Sequence, residues 1–321
     1  MDSKKIIVIG STNMDMVVKT NHIPIPGETV LAGSFFMNPG GKGANQAVAV
    51  ARLGGEVAFM SKVGNDVFGK QSSQLLDDEG INTFYMLSDE QLPSGVALIT
   101  VDKVGENSIV VASGANANFL PVDLEDVMEE IGKAGIVLMQ LEIPLETVHF
   151  VAKYASSKGI KVILNPAPAN ILSLELLGYL DLITPNQHEA EMIAGIQVED
   201  VEGAQQAAKI IYEMGVNRVI VTLGALGAVV CDEGEIYAVA AKKVEAIDTT
   251  AAGDVFNGAL AVALAEAKTL QEAVQFACDA AAISVMRLGA QSSIPYRHEV
   301  IADTLMAHRE KMPSQIKKKK N

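Results

Sequence analysis

The chain has no tryptophan, and aromatic residues make up only 5% of it. A large core must therefore be built from Ala, Val, Ile and Leu, and at 49% hydrophobic content there are enough of them. Cysteine is almost absent: Cys231 and Cys278 are the only two, in neither a metal-binding nor a redox spacing. This excludes a disulfide scaffold and suits a reducing compartment. The five histidines, His22, His149, His188, His298 and His308, form no ligand pattern. Positive charge is also short, with 25 Lys and Arg against 39 Asp and Glu, a formal net charge of -14. Such a balance argues against nucleic acid as the main partner. No apolar run is long enough for a membrane span or a signal peptide, so a soluble cytoplasmic protein is expected. At 321 residues the chain has room for about two domains.

Short continuous apolar runs at residues 6–9, 136–139, 162–164, 182–183 and 219–221 read as parallel strands covered on both faces. Helix-like stretches lie between them at residues 69–79, 145–157, 203–214 and 270–286. The alternation predicts an α/β fold with a doubly wound, mostly parallel sheet flanked by helices. Residues 15–38 and 94–112 break the pattern with β-type runs, turning near Val104-Gly105-Glu106-Asn107, and no helices of their own. The expected division is a main domain of residues 1–14, 39–93 and 113–310, a small β-sheet unit of residues 15–38 and 94–112, and a basic tail of residues 311–321. The Lys317-Lys318-Lys319-Lys320 run in that tail reads as solvated.

The heptapeptide Asp248-Thr249-Thr250-Ala251-Ala252-Gly253-Asp254 carries the most chemistry. Three small residues opening a helix leave its first amides uncovered, so an anion can reach them. A carboxylate beside an anion site suggests phosphoryl transfer, with the amides of Ala251, Ala252 and Gly253 on the phosphate and Asp254 as the base. The bland alternative is an Ala-Gly turn with Asp254 as a helix N-terminal charge. A second segment, Pro39-Gly40-Gly41-Lys42-Gly43-Ala44-Asn45-Gln46-Ala47, is glycine-rich and runs into a helix. By contrast, Gly64-Asn65-Asp66-Val67-Phe68-Gly69-Lys70-Gln71 approximates a P-loop but ends in Gln, where a hydroxyl must hold Mg²⁺. It is set aside.

Together the two segments resemble the two signatures of the ribokinase-like (PfkB-type) carbohydrate and nucleoside kinase family. The likeness extends through Gly10-Ser11-Thr12-Asn13-Met14-Asp15, Pro26-Gly27-Glu28-Thr29, Gln140-Leu141-Glu142, Asn165-Pro166-Ala167-Pro168-Ala169, Thr184-Pro185-Asn186, Thr222-Leu223-Gly224 and Gly289-Ala290-Gln291. It implies a kinase that uses ATP to convert D-ribose to D-ribose 5-phosphate, with the small β unit as a lid over the sugar. Kinases for other sugars or nucleosides share the scaffold, and a non-catalytic sugar-binding regulator is the rival of another class.

The resemblance places sugar contacts at Asn13, Asp15, Gly41, Lys42, Gly43, Asn45, Glu142 and Asp254. A neutral pentose needs just such mixed donors and acceptors. Nucleotide contacts fall on Asn186, Glu189, Thr222, Gly224, Gly227, Gly253 and Cys278, with Glu189 reaching Mg²⁺ through water. A potassium loop falls on Asp248, Thr250, Ser284, Arg287, Gly289 and Ser293. Asn13, Asp15, Glu142, Asn186 and Gly224 each follow a predicted strand, the edge where open α/β sheets bind ligands. A homodimer clasped through the lid is the last expectation.

Overall fold

The computed structural model describes residues 4–31 and 33–303. The lysine tail lies outside these residues.

The strands in the first half of the chain are β1 (Ile6–Ile9), β2 (Asn13–Lys19), β3 (Ser34–Gly40), β4 (Val57–Met60), β5 (Lys62–Gly64), β6 (Leu87–Asp89), β7 (Gly95–Val101) and β8 (Asn107–Ala112). The second half adds β9 (Ile136–Met139), β10 (Lys161–Leu164), β11 (Leu182–Ile183), β12 (Arg218–Thr222), β13 (Ala228–Asp232) and β14 (Glu235–Val239). Eight of them form the central sheet, in the order β14-β13-β12-β11-β10-β9-β1-β4. Pairing is parallel from β12 to β4 and antiparallel in the β12, β13 and β14 run.

The apolar runs become central strands because neither face meets water. In β1, Ile6 and Val8 point into one core and Ile7 and Ile9 into the other, as a period of two requires. The first core is closed by α1 (Lys42–Arg52) with the two C-terminal helices Ala252–Ala265 and Leu270–Ser284. The second is closed mainly by helices Leu145–Ser157 and Val201–Glu213. In chain order the α-helices that follow α1 are α2 (Val67–Asp78), α3 (Met128–Ile131), α4 (Leu145–Ser157), α5 (Leu174–Leu177), α6 (Gln187–Ala194), α7 (Val201–Glu213), α8 (Ala252–Ala265) and α9 (Leu270–Ser284). The helices expected at 69–79, 145–157, 203–214 and 270–286 correspond to α2, α4, α7 and α9.

Every residue of α8 from Asp254 to Leu264 is buried, as its all-round apolar sequence demands. It lies unusually close to α1: a Cβ at Gly258 would stand 2.5 Å from the Ala49 Cβ and 3.0 Å from the Gln46 carbonyl oxygen. Glycine is therefore the residue that lets these two helices touch.

A separate four-stranded sheet has the order β3-β2-β7-β8, with β2 and β7 parallel and the outer pairs antiparallel. It contains the β-type runs seen in the sequence, although β2 begins at Asn13 and β3 continues to Gly40, into the glycine-rich segment. Strand β8 is exposed along its whole length. The rejected P-loop segment is a strand end followed by the Asp66 N-cap of α2. The Asp66 carboxylate also accepts from the Ser94 amide at 2.8 Å and its hydroxyl at 2.7 Å, tying α2 to the start of β7.

Two features position the site. Strand β1 is flanked by β4 on one side and β9 on the other, so the connections diverge there and open a crevice at the carboxyl ends. Helices α1 and α8 both start at that same edge.

Candidate active site

Asp254 sits in the first turn of α8 and is only 5% exposed. Its Oδ2 accepts a hydrogen bond from Asn45 Nδ2 at 3.0 Å and its Oδ1 accepts one from Gln46 Nε2 at 3.0 Å. Burial pushes its pKa up, against the opposing pull of Lys42 and the two amides. The helix is entered through Ala251 in the left-handed region, φ 60° and ψ 9°. The Ala252 amide turns back to the Thr249 carbonyl at 3.2 Å. The donors at the helix mouth are then the amides of Gly253 and Asp254, left over as in any helix's first turn. A Cβ at Gly253 would meet nothing within 4 Å, so internal packing does not demand the glycine. Asn257 secures the turn: its Nδ2 donates to the Gly253 carbonyl at 2.8 Å and its Oδ1 accepts from the Thr184 hydroxyl at 2.6 Å.

Glu142, just past β9, accepts from the Ser11 hydroxyl at 2.6 Å and from the Lys42 amide at 3.0 Å. These bonds span the β1/β9 crevice. Gly43 allows the close approach, since a Cβ there would lie 2.6 Å from the Gly10 carbonyl carbon and the Ser11 nitrogen. Gly41 has φ 91°, a conformation that favours glycine. Asp15 faces the same space from β2, its carboxylate where a Cβ on Gly40 would have to go. Burial, reinforced by Glu142 and Asp254, raises its pKa to about 6. Asn13 is held by Asn116, whose Nδ2 donates to Asn13 Oδ1 at 2.8 Å. The Oδ1 of Asn45 is buried without a partner, an acceptor that a hydroxyl would satisfy. Burial works against the Lys42 ammonium, yet Asp254, Glu142, Glu189 and Asp15 raise its pKa above that of an ordinary lysine.

A cavity of about 220 Å³ opens at the mouth of α8, lined among others by Lys42, Asn165, Asn186, Glu189, Thr222, Gly253 and Asp254; Asn13, Asp15, Asn45 and Glu142 lie outside its wall. Thus Lys42, the acidic base candidate, the helix mouth and the Asn186/Glu189 pair converge on one space. Asn186 and Glu189 form a reciprocal capping box on α6, and burial raises the Glu189 pKa. Gly224, Gly227 and Cys278 are not in the cavity wall. Gly227, at φ 99°, is fixed by packing, because a Cβ would lie 2.0 Å from the Val239 carbonyl oxygen. Cys278 belongs to the core, its thiol pushed up to about 12 by burial.

Asp248 holds the neighbouring loops together. Its Oδ1 accepts from the Thr250 amide at 2.9 Å and its Oδ2 from the Gly289 amide at 2.8 Å. Burial opposes its charge, but these bonds keep its pKa below the usual value. Ser284 and Ser293 are buried, with hydroxyls donating to the Ala281 and Ala290 carbonyls at 2.8 Å each. The Arg287 guanidinium turns away to Glu299, at 2.5 Å. Among the described residues no three His, Cys, Asp or Glu side chains gather as a metal-binding group.

Several contacts around Asp254 were not anticipated as site residues. Gln46, Gln140, Asn165 and Asn257 are all buried amides in its hydrogen-bond surroundings. Gln46 immediately follows Asn45 in the glycine-rich motif, and Gln140 and Asn165 open two of the segments that carry the family resemblance; these were the available signals.

Residues 3–297 match the family described as pfkB family carbohydrate kinase. A ribokinase from Haemophilus influenzae is 46% identical over 298 residues, 93% of this chain and 97% of that protein. A ribokinase structure from Thermotoga maritima superposes with TM-score 0.86 at 42% identity, covering 94% of this chain and 99% of that one. An Arabidopsis thaliana ribokinase complexed with ribose and ATP gives TM-score 0.88 at 34% identity, covering 94% and 98%. With the sequence, the crevice geometry and these similarities in agreement, the chain belongs to the pfkB family of carbohydrate kinases.

Proposed function

We infer that the chain is an ATP-dependent kinase of D-ribose, forming D-ribose 5-phosphate and ADP. The observation that carries this reading is the buried Asp254 carboxylate at the mouth of α8, one residue from an unobstructed glycine amide and in the same cavity as Lys42. In the proposed reaction the C5 hydroxyl loses its proton to Asp254 as its oxygen attacks the γ-phosphorus, and the bond to the ADP oxygen breaks. Amides at the helix mouth and the Lys42 ammonium balance charge on the transferred group. Asp15, Glu142, Asn13, Asn45 and the backbone of Gly41 and Gly43 orient the sugar, with Asn45 Oδ1 waiting for a hydroxyl donor. Asn186, Glu189, Thr222, Gly224, Gly227 and Cys278 are proposed to serve the nucleotide side.

Mg²⁺ would be held near Glu189 through water and would neutralise the ATP phosphates. K⁺ would be held at the Asp248, Thr250, Ser284, Arg287, Gly289 and Ser293 loops, where backbone carbonyl oxygens would supply most of the ligands. Residues 15–38 and 94–112 are proposed to act as the lid, excluding water as a competing acceptor. The exposed Leu98, Ile109, Val110 and Val111 on this sheet support pairing of two lids in a homodimer. No helix among the described residues is long and apolar enough to cross a membrane. Use of ATP and the free buried cysteines favour a cytoplasmic location.

The deciding experiment is an ADP-release assay over ribose, deoxyribose, fructose, tagatose and adenosine. Ribose should give the highest kcat/KM by a wide margin. A nucleoside or hexose turned over as well as ribose would refute the substrate assignment, and no ADP release with any of them would refute the kinase reading.

A further inference from the structure

We propose that Gln46 is a positioning residue for phosphoryl transfer, locking the Asp254 carboxylate so that Oδ2, not Oδ1, faces the acceptor hydroxyl. The proposal rests on the reading of Asp254 as the proton acceptor.

Gln46 is fully buried, and each polar group of its amide is used. One Nε2 hydrogen goes to Asp254 Oδ1 at 3.0 Å and the other to Asn165 Oδ1 at 3.0 Å. Its Oε1 accepts from Gln140 Nε2 at 2.6 Å. Rotating the amide by half a turn would set its oxygen against two acceptors and its NH₂ against a donor. The Gln46 amide is therefore fixed in one orientation. Its anchors sit at strand ends: Gln140, whose own Oε1 has no partner, directly follows β9, Asn165 directly follows β10, and Asn165 Nδ2 reaches the Thr184 carbonyl beyond β11 at 3.4 Å. Three adjacent strands of the central sheet thus set one carboxylate oxygen.

The other oxygen has a different neighbour. Asn45 donates to Oδ2 but leaves its own Oδ1 unsatisfied, so this amide has spare capacity on the substrate side. The two oxygens of Asp254 are chemically distinct before any ligand arrives. A purely structural role, in which Gln46 only fills a polar gap beneath α8, would leave the proton affinity of Asp254 out of account.

Charged groups face Asp254 from several elements: Lys42 on α1, Asp15 on β2, Glu142 after β9 and Glu189 on α6. None is changed by a substitution at position 46, so in a variant that adds no charge of its own a shift in pH profile reports the lost donor.

The test is the pH dependence of kcat, at saturating ribose and ATP, for wild type, Gln46→Glu, Gln46→Met and Asp254→Asn. Gln46→Glu keeps the volume and the acceptor for Gln140 but sets a second carboxylate beside Asp254. Its acid limb should move up by about one pH unit or more, a roughly tenfold loss on the acid side that recovers as pH rises. Gln46→Met should shift the limb the same way by less, and KM for ATP should change little in either. An acid limb at the wild-type position in Gln46→Met overturns the proposal, however far kcat falls, because Gln46→Glu moves the limb through its added charge as well. Should Gln46→Met fail to fold, Gln46→Leu, which likewise removes the donor and adds no charge, decides. Asp254→Asn separates the two readings: its residual activity should have no acid limb, and a retained limb would remove Asp254 as the base independently of Gln46.

Discussion

Replacing Asp254 with Asn should uncouple activity from stability. The substitution removes the proton acceptor but leaves the helix-mouth amides and Lys42, so kcat should fall by about 10²–10⁴, equivalent to about 3–5 kcal/mol in the barrier. The lower end applies if proton loss is late in a loose transition state. KM for ATP should move much less. The fold should accept the change, because a carboxamide at position 254 needs one new acceptor, and the unpartnered Asn45 Oδ1 is in place to be it once that amide rotates. Gln46 meanwhile continues to donate to the remaining oxygen. Stability should even rise at neutral pH. Burial raises the Asp254 pKa in the folded state above its unfolded value, so the native protein binds this proton more tightly than the unfolded chain does. The carboxylate's cost is thus absent below the unfolded pKa and grows as pH climbs through the folded one. The variant should therefore melt above wild type at neutral pH, with the gap closing as pH falls towards 4. Turnover by coupled ADP release and melting across pH measure the two halves. A variant with wild-type kcat would refute the base assignment, and one that melts well below wild type at neutral pH would refute the burial argument.

Four other outcomes are expected. Gly253→Val should fold with a nearly unchanged melting temperature, because its Cβ enters open space, yet raise KM for ATP by roughly tenfold or more through obstruction of the phosphate site; unchanged kinetics would place the phosphate elsewhere. KM for ribose should rise as pH drops below about 6, where Asp15 takes up its proton and ceases to be a pure acceptor, and Asp15→Asn should flatten that limb; a limb unaltered in the variant would contradict it. Turnover should be higher in potassium than in sodium-only buffer, and Asp248→Ala should abolish the difference, whereas equal turnover of wild type in both would count against a monovalent-cation loop. Light scattering at micromolar concentration should give a dimer mass, which Val110→Lys on exposed β8 should halve; a fully active monomeric wild type would rule the lid-paired dimer out.

Much of the frame was legible because burial on both faces leaves a plain trace. The runs at 6–9, 136–139 and 182–183 correspond to β1, β9 and β11, and the long periodic segments correspond to α2, α4, α7 and α9. The β13 and β14 hairpin was not foreseen. Its turn uses Glu233 at φ 51° and Gly234 at φ 88°, and Glu-Gly is a weaker hairpin mark than Asn-Gly or Asp-Gly. The boundary of the small sheet was set at residue 15, but hydrogen bonding carries β2 back to Asn13 because it pairs with Gly95 and Gly40 there. At the site, the charged and glycine-rich positions stood out by type and spacing. The amides did not. Gln46 and Asp254 are 208 positions apart, and Gln140 and Asn165 sit at strand ends where a polar residue ordinarily means only a loop. Which buried amide faces which carboxylate is decided by sheet order, and sheet order has no local signature.

The contact of α1 with α8 at Gly258 bears on how such a protein can change over generations. Lys42, Asn45, Gln46 and Asp254 ride on two helices whose backbones touch, so none can be displaced without disturbing the others and the core beneath them. Asn13 and Asp15 ride instead on the small sheet, where Asn13 is buried against Asn116 while Asp15, Met16 and Val18 are only half-buried and the β8 edge is exposed. Mutational tolerance should therefore be uneven, with the residues on the two helices, the sugar contact Asn45 included, inherited as a block and the half-buried positions of the small sheet open to piecemeal revision. A laboratory search for new acceptor preferences has more room at the half-buried positions of β2, such as Asp15 and Met16, than in the two helices.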